Sequence, residues 1–211
     1  MIFTIFEDQH YTSLFPLNLN RASFELRCGA FTNLERIENL LSPDDTVQLV
    51  VRDELVPLVQ ERFPNIAINP DFLSRGIWLN GAGLWTGKIL KNLTSGKSYT
   101  KNGIVIAMYN NDAIPLSDFH PYLDKANLVS TEIDIQFMEN IWEGIFLQSD
   151  VITSDAKYFI EYNRGKIHPS VAIENGDNIF LGNGSEVRAG SVLDARSGPI
   201  IIEENSYIDI G

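Results

Sequence analysis

Two rhythms of hydrophobic and polar positions run along the chain, and they change near Asn163-Arg164-Gly165. Upstream, strand-like and helix-like segments alternate. Ile2 to Phe6 is a short apolar run that suits a strand buried on both faces. In "FTNLERIENLL" (31–41), Thr32 and Glu35 have capping-box spacing, and Leu34, Ile37 and Leu41 share one helical face. Val47 to Val51 predicts a second buried strand. "ELVPLVQERFP" predicts a helix that starts close to Pro57. "NIAIN", "GIWLNG" and "GIVIAMY" follow as further strands. Such alternation implies a mainly parallel α/β sheet with ligands at the carboxyl ends of its strands. Ser130 to Phe159 reads as mostly helical. There Thr131 and Asp134 act as a cap, and Ile133, Phe137, Ile141, Trp142 and Ile145 form a core-facing stripe.

After Gly165 the aliphatic period is six. Ile167, Ile173 and Ile179 form one register, Leu181, Val187 and Leu193 a second, and Ile202 and Ile208 a third. This spacing predicts a parallel β-helix in which each hexad supplies one short strand and one turn. The slips between Ile179 and Leu181, and across Ser197-Gly198-Pro199, predict small loops pushed out between turns. The chain is expected to divide into an α/β domain at 1–164 and an incomplete β-helix at 165–211. The closing "IDIG" opens a new hexad, so a truncated chain or fragment is expected, or else an end covered by an oligomer contact or a swapped cap.

The formal charge of −12, with no cluster of Lys and Arg, argues against nucleic acid and against an anionic membrane surface as partner. A small phosphorylated metabolite stays open, because a few arginines or a bound cation can reverse the potential of a pocket. One cysteine, Cys28, excludes an internal disulfide and multi-thiolate metal sites. The Met1–Asp8 stretch has no basic leader, and its apolar run is too short for a signal core or a membrane span. A cytoplasmic location fits both features.

Phe6-Glu7-Asp8, Leu14-Phe15-Pro16-Leu17, Asn20-Arg21, Phe24-Glu25-Leu26-Arg27-Cys28-Gly29, "WLNG" at 78–81, Trp142 and "VLDARSGPIIIEENSYI" occur in a telling order. In that order the chain resembles sugar nucleotidyltransferases related to the bifunctional N-acetylglucosamine-1-phosphate uridyltransferase and glucosamine-1-phosphate acetyltransferase, especially the divergent form of Bacteroidetes-like bacteria. The resemblance implies a Rossmann-like nucleotidyltransferase domain, followed by a left-handed parallel β-helix of hexapeptide repeats that drives trimer-like assembly. It also implies transfer of a nucleotidyl group from a nucleoside triphosphate to a sugar 1-phosphate, with pyrophosphate leaving and Mg²⁺ as cofactor. Two alternatives remain: a catalytically silent binding or assembly module, and a fragment of a longer hexapeptide-repeat acyltransferase.

Two departures bear on the chemistry. Relatives carry a Gly-rich loop with an Arg before a P-L-T element, because only glycine lets backbone approach a triphosphate closely. Here Glu7 to Thr12 contains no glycine. Relatives also end a strand in Gly-Asp, where this chain offers Asn80-Gly81-Ala82. Arg21 is the catalytic and phosphate-binding candidate, and a surface ion pair with Glu25 is the competing reading. Glu25 and Arg27 are binding candidates or holders of the loop. Asp8 can take metal or ribose, or cap a turn. Asn80 and Gly81 lie at a ligand edge or form a tight turn. Asp112 in "YNNDAIP" is a second carboxylate for metal or plain turn chemistry. Lys88, Lys91, Lys97 and Lys101 are read as solvated, and His168 as lining a turn.

Overall fold

Six of the seven strands in the main sheet run the same way. In chain order they are β1 (Ile2–Phe6), β2 (Thr46–Val50), β3 (Ala67–Ile68), β4 (Gly76–Asn80), β5 (Ser98–Lys101), β6 (Ile104–Asn110) and β7 (Thr131–Glu132), and their spatial order is β7-β5-β6-β4-β1-β2-β3. Only β6 is reversed, pairing antiparallel with both β4 and β5. The computed structural model describes residues 1–210, with the side chain of Leu128 outside the description. The chain forms two compact units. One comprises Met1–Arg27 and Phe31–Ile145, the other Cys28–Ala30 and the chain from Phe146 onward. The texture change at Gly165 marks the first coil strand, while the second unit already begins inside the preceding helix.

In the first unit the chain leaves β1 for β2 and β3 on one side, then crosses to β4 on the other. Phe6 is in register with Val50 on one flank and with Asn80 on the other. The strand order thus reverses between β1 and β4, and loops leaving their carboxyl ends diverge there, which makes a crevice. Helix α1 (Asn33–Glu38) starts at the Thr32–Glu35 box: Thr32 Oγ1 accepts from Glu35 N (3.2 Å), and Glu35 Oε2 accepts from Thr32 N (2.7 Å). Helix α2 (Val56–Arg62) places Pro57 in its first turn, where the missing N–H costs nothing. After α3 (Gly87–Lys91), helix α4 (Phe119–Leu128) lays Phe119, Leu123 and Ala126 into a core with Phe6, Trp78, Val105 and Met108. The Phe119 ring lies 5.5 Å from Trp78 and 5.6 Å from Phe6. Trp78 and Phe119 are almost fully buried, and each contributes roughly 1.5–3 kcal/mol through burial.

The helical reading of 130–140 is corrected. Thr131–Glu132 joins the sheet beside β5, Ile133 N donates to Thr100 O (2.9 Å), and Phe137 bridges Gly83. An open sheet edge offers unpaired backbone groups, and satisfying them overrides the local helical pattern. Helix α5 (Ile141–Asp155) starts only after Asn140, whose Oδ1 accepts from Trp142 N (3.0 Å). Trp142 and Ile145 are then 61% and 62% exposed, so they do not serve as core.

In the second unit, β8 (Lys166–Ile167), β9 (Ala172–Glu174), β10 (Ile179–Leu181), β11 (Glu186–Val187), β12 (Val192–Asp194), β13 (Ile200–Ile202) and β14 (Tyr207–Ile208) form three parallel ladders, β8-β11-β14, β9-β12 and β10-β13. Ile167 stacks on Val187 and then on Ile208, and Ile173 stacks on Leu193. Ile179, Leu181, Val187, Leu193, Ala195 and Ile202 close a narrow core. The expected loop between Ile179 and Leu181 is absent, because both are buried ends of one strand, β10. Ser197-Gly198-Pro199 does interrupt the path between β12 and β13. Asp155 Oδ2 in this unit accepts from Ala30 N (3.0 Å), and Gln148 Oε1 accepts from Gly29 N (3.0 Å).

Candidate functional site

Glu7 and Asp8 leave the carboxyl end of β1, and Arg52 leaves that of β2 two residues after Val50. Arg52 Nη1 donates to Glu7 Oε1 (2.6 Å), while Nη2 donates to the carbonyls of Asn18 and Arg21, the latter at 3.4 Å. Its guanidinium also lies over the Tyr11 ring, 4.5 Å from the centroid. The planar fork thus ties two strand ends to the 11–21 segment, a task a lysine's single ammonium could not share out in this way. Glu7 Oε1 accepts a further bond from Ser23 N (2.9 Å). Burial pushes the Glu7 carboxyl above its ordinary pKa, and the hydrogen bonds and charge of Arg52, with the N–H of Ser23, offset part of that rise.

The glycine-free stretch folds as a 3₁₀ helix, Gln9–Leu14, capped by Asp8, whose Oδ1 accepts from His10 N (2.9 Å). Asp8 Oδ2 accepts from Asn80 Nδ2 (2.8 Å), so the two residues close the crevice between β1 and β4. The orientation of the Asn80 amide follows from its other partners. Ala82 N can only donate, so Oδ1 must face it (3.0 Å). Val105 O can only accept, so Nδ2 must face it (3.1 Å). Asn80 therefore presents hydrogens to Asp8, not a lone pair.

Beside this bridge lies a cleft of about 540 Å³ lined by Glu7, Asp8, Gln9, Tyr11, Arg52, Asp53, Glu54, Asn69, Ser117, Phe119 and His120, among others. A smaller hollow of about 80 Å³ shares Asp8, Gln9 and His120 and adds His10, Asp124 and Asn127. Four carboxylates line the larger cleft against one guanidinium, and Glu7 already matches that guanidinium. The side chains offer many acceptors together with the rings of Tyr11 and Phe119, which suits hydroxyl groups. A polyphosphate entering here needs its charge offset by a cation it carries.

The candidates read from sequence scatter over several environments. Arg21 is exposed and outside the cleft lining; its carbonyl, not its guanidinium, is used, by Arg52. Glu25 pairs with Arg62 (2.8 Å) and accepts from Ala22 N (2.7 Å), so the competing reading of an Arg21–Glu25 pair is replaced. Arg27 lies 3.8 Å from Glu35 at the surface. Gly81 is packed where an added Cβ would stand 2.7 Å from Phe24 Cβ, and its carbonyl accepts from Asn33 Nδ2 (2.9 Å). Gly81 also lies in a tight turn, with Gly83 N donating to Asn80 O (3.2 Å), and the close approach to Phe24 is what calls for glycine there. Lys88, Lys91 and Lys97 are exposed, and Lys101 donates to the Ile135 carbonyl. His168 Nδ1 accepts from Ser170 N (3.2 Å) in an exposed turn. Asp112 is displaced altogether. Because β6 is reversed, Asn110 sits opposite Gly76 at the amino end of β4, and Asp112 lies beyond it. Five strand residues, roughly 13 Å, separate that edge from Asn80, so Asp112 and Asp8 cannot share an ion.

Arg52 and His120 were not singled out from sequence, and Glu7 and Tyr11 only as members of the glycine-free stretch, although Arg52 is the first cation after a buried strand at the ligand edge. The donor set at Asp8 does not fit a resident Mg²⁺. Hard cations need several oxygen ligands, and Asp8 meets N–H groups on both oxygens. Among the described residues no three His, Cys, Asp or Glu side chains converge as a metal site, and no helix is long and apolar enough to cross a membrane.

A comparison with curated proteins finds no match. A family model described as sugar nucleotidyl transferase matches residues 3–163, which takes in the main sheet except for Ile2 and well over half of the sequence. The chain belongs to the sugar nucleotidyl transferase family.

Proposed function

We propose that the first unit binds a nucleoside triphosphate and a sugar 1-phosphate at the carboxyl edge of its sheet and transfers the nucleotidyl group, releasing pyrophosphate. The observation that carries this reading is the cleft at the ends of β1 and β2, beside the strand-order reversal, in a chain of this family. A sugar phosphate oxygen attacks the α-phosphorus in line, and the protein's part is to position the two reactants. Asp8, Asn69, Ser117 and His120 offer partners for ribose or sugar hydroxyls. Arg21, exposed and outside the cleft lining with its carbonyl on the Arg52 clasp, is the cation this reading assigns to a phosphate. Mg²⁺ enters with the phosphates that carry it. The kinship with bifunctional uridyltransferase–acetyltransferases, a left-handed winding of the coil, its assembly into trimers and a cytoplasmic setting belong to the same reading, and light scattering in solution tests the trimer.

Pyrophosphate release from a panel of nucleoside triphosphates, sugar 1-phosphates and MgCl₂ tests the activity. Turnover that depends on both substrates supports it. A second reading, a silent nucleotide- or sugar-binding module, is favoured by the glycine-free 3₁₀ turn where a phosphate loop would stand. Saturable nucleotide binding without turnover selects that second reading. Absence of both binding and turnover overturns the two together.

A further inference from the structure

Asp8 and Asn80 are far apart in sequence but adjacent where the sheet changes direction. Both Asp8 oxygens are met by hydrogens, Oδ1 by the backbone N–H of His10 and Oδ2 by the Asn80 amide, and the Asp8 side chain is only 13% exposed. Turning the Asn80 amide over would set its oxygen against the Val105 carbonyl and its NH₂ against the Ala82 N–H. Acceptor would face acceptor and donor would face donor, in a residue with no exposed surface. The amide is therefore locked as a donor toward Asp8.

We propose that Asn80 excludes divalent cations from the crevice between β1 and β4, its amide occupying the position beside Asp8 Oδ2 that an ion would need. The substrate-free protein holds its Asp8 turn by hydrogen bonds, independent of metal. A carboxylate at position 80 could still accept from Ala82 N, but its second oxygen would face the Val105 carbonyl and the Asp8 carboxylate at close range. Two like charges at that separation repel each other unless a cation lies between them, and a carboxylate pair is what Mg²⁺ or Mn²⁺ selects. One amide-to-acid change thus converts a metal-independent clasp into a metal-dependent one.

The test uses the whole chain without nucleotide or sugar, so its outcome is separate from that of the transferase assay. Mn²⁺ alone is titrated by electron paramagnetic resonance, and thermal unfolding is followed in EDTA and in excess MnCl₂. The native protein is expected to leave the free Mn²⁺ signal undiminished and to unfold at the same temperature in both. Asn80→Asp is expected to unfold at a lower temperature in EDTA, to recover in MnCl₂, and to bind Mn²⁺ on the order of tenfold or more tightly than the native protein. Saturable Mn²⁺ binding by the native protein that Asp8→Asn abolishes would overturn the proposal, as would a folded Asn80→Asp that ignores Mn²⁺. Should Asn80→Asp fail to fold even with MnCl₂, the comparison of the native protein with Asp8→Asn still decides.

Discussion

Arg52 Nη1 stands 2.6 Å from Glu7 Oε1, with the two side chains 11% and 1% exposed, so the ends of β1 and β2 are joined by an ion pair almost out of water. Removing one member leaves the other buried without its counter-charge, which typically costs about 3–5 kcal/mol. Arg52→Ala should fall in that range by urea unfolding. It also releases the Asn18 and Arg21 carbonyls and uncovers Tyr11, so limited proteolysis should move to the 11–21 segment. Arg52→Lys keeps the charge but not the fork and should sit between native and Ala. A cost for Arg52→Ala below that of Arg62→Ala, whose partner Glu25 is also buried but whose own side chain is 32% exposed, would contradict this ranking.

The same burial sets a pH dependence. Glu7 has its carboxyl pKa raised above the ordinary 4.5 in the fold, desolvation being the largest cause. Between that ordinary value and the raised one, the folded state holds a proton that the unfolded state has released. Stability from this group is therefore full below the unfolded pKa and falls as pH rises through the folded one, by at most about 1.4 kcal/mol per pH unit. Glu7→Gln keeps an acceptor for Arg52 and Ser23 and removes the titration. Urea midpoints measured from pH 4 to pH 7 should show that the native-minus-variant stability difference declines with pH. A difference that grows with pH would mean that Arg52 outweighs desolvation.

What the sequence disclosed about the fold was whatever depends on near neighbours. The Thr32–Glu35 box acts within three residues, and the six-residue steps from Ile167 to Ile173 and from Val187 to Leu193 each carry the chain from one coil strand to the next, so both were legible. The Asp8–Asn80 bridge was half legible: each residue stood out at a strand end, but their pairing needs the strand order. Asp112 was misplaced for the same reason. Alternating strands and helices imply parallel strands, and nothing in "GIVIAMY" signals that β6 runs backward and carries Asp112 to the far edge. Arg52 stayed hidden because one cation after one strand looks ordinary until Glu7, Tyr11 and Asn18 converge on it.

The helical stripe yields its own prediction. Trp142 and Ile145 are more than half exposed, so Trp142→Ser and Ile145→Ser should each change unfolding free energy by less than about 0.5 kcal/mol. Trp78→Ala, at a fully buried position, should cost about 3–5 kcal/mol. Equal costs at 142 and 78, measured by urea unfolding followed by circular dichroism, would restore the core reading of that stripe.

The coil's own spacing is tested at Gly182. Its N–H donates to Ile202 O (2.7 Å), and a Cβ added there would stand 2.4 Å from Glu204 N and 2.7 Å from the Glu203 carbonyl carbon, both backbone atoms of the adjoining turn. Backbone cannot swing aside as a long side chain can, so Gly182→Ala must push two turns apart and weaken the β10-β13 ladder next to it. Overpacking of this kind costs about 1–3 kcal/mol. Gly198→Ala is the control, because nothing lies within 4 Å of its added Cβ, and it should stay within about 0.5 kcal/mol of native. Thermal unfolding followed by far-ultraviolet circular dichroism should therefore show a lowered midpoint for the first variant and an unchanged one for the second. Equal midpoints for both would mean that the turns are not held at the separation that Gly182 permits.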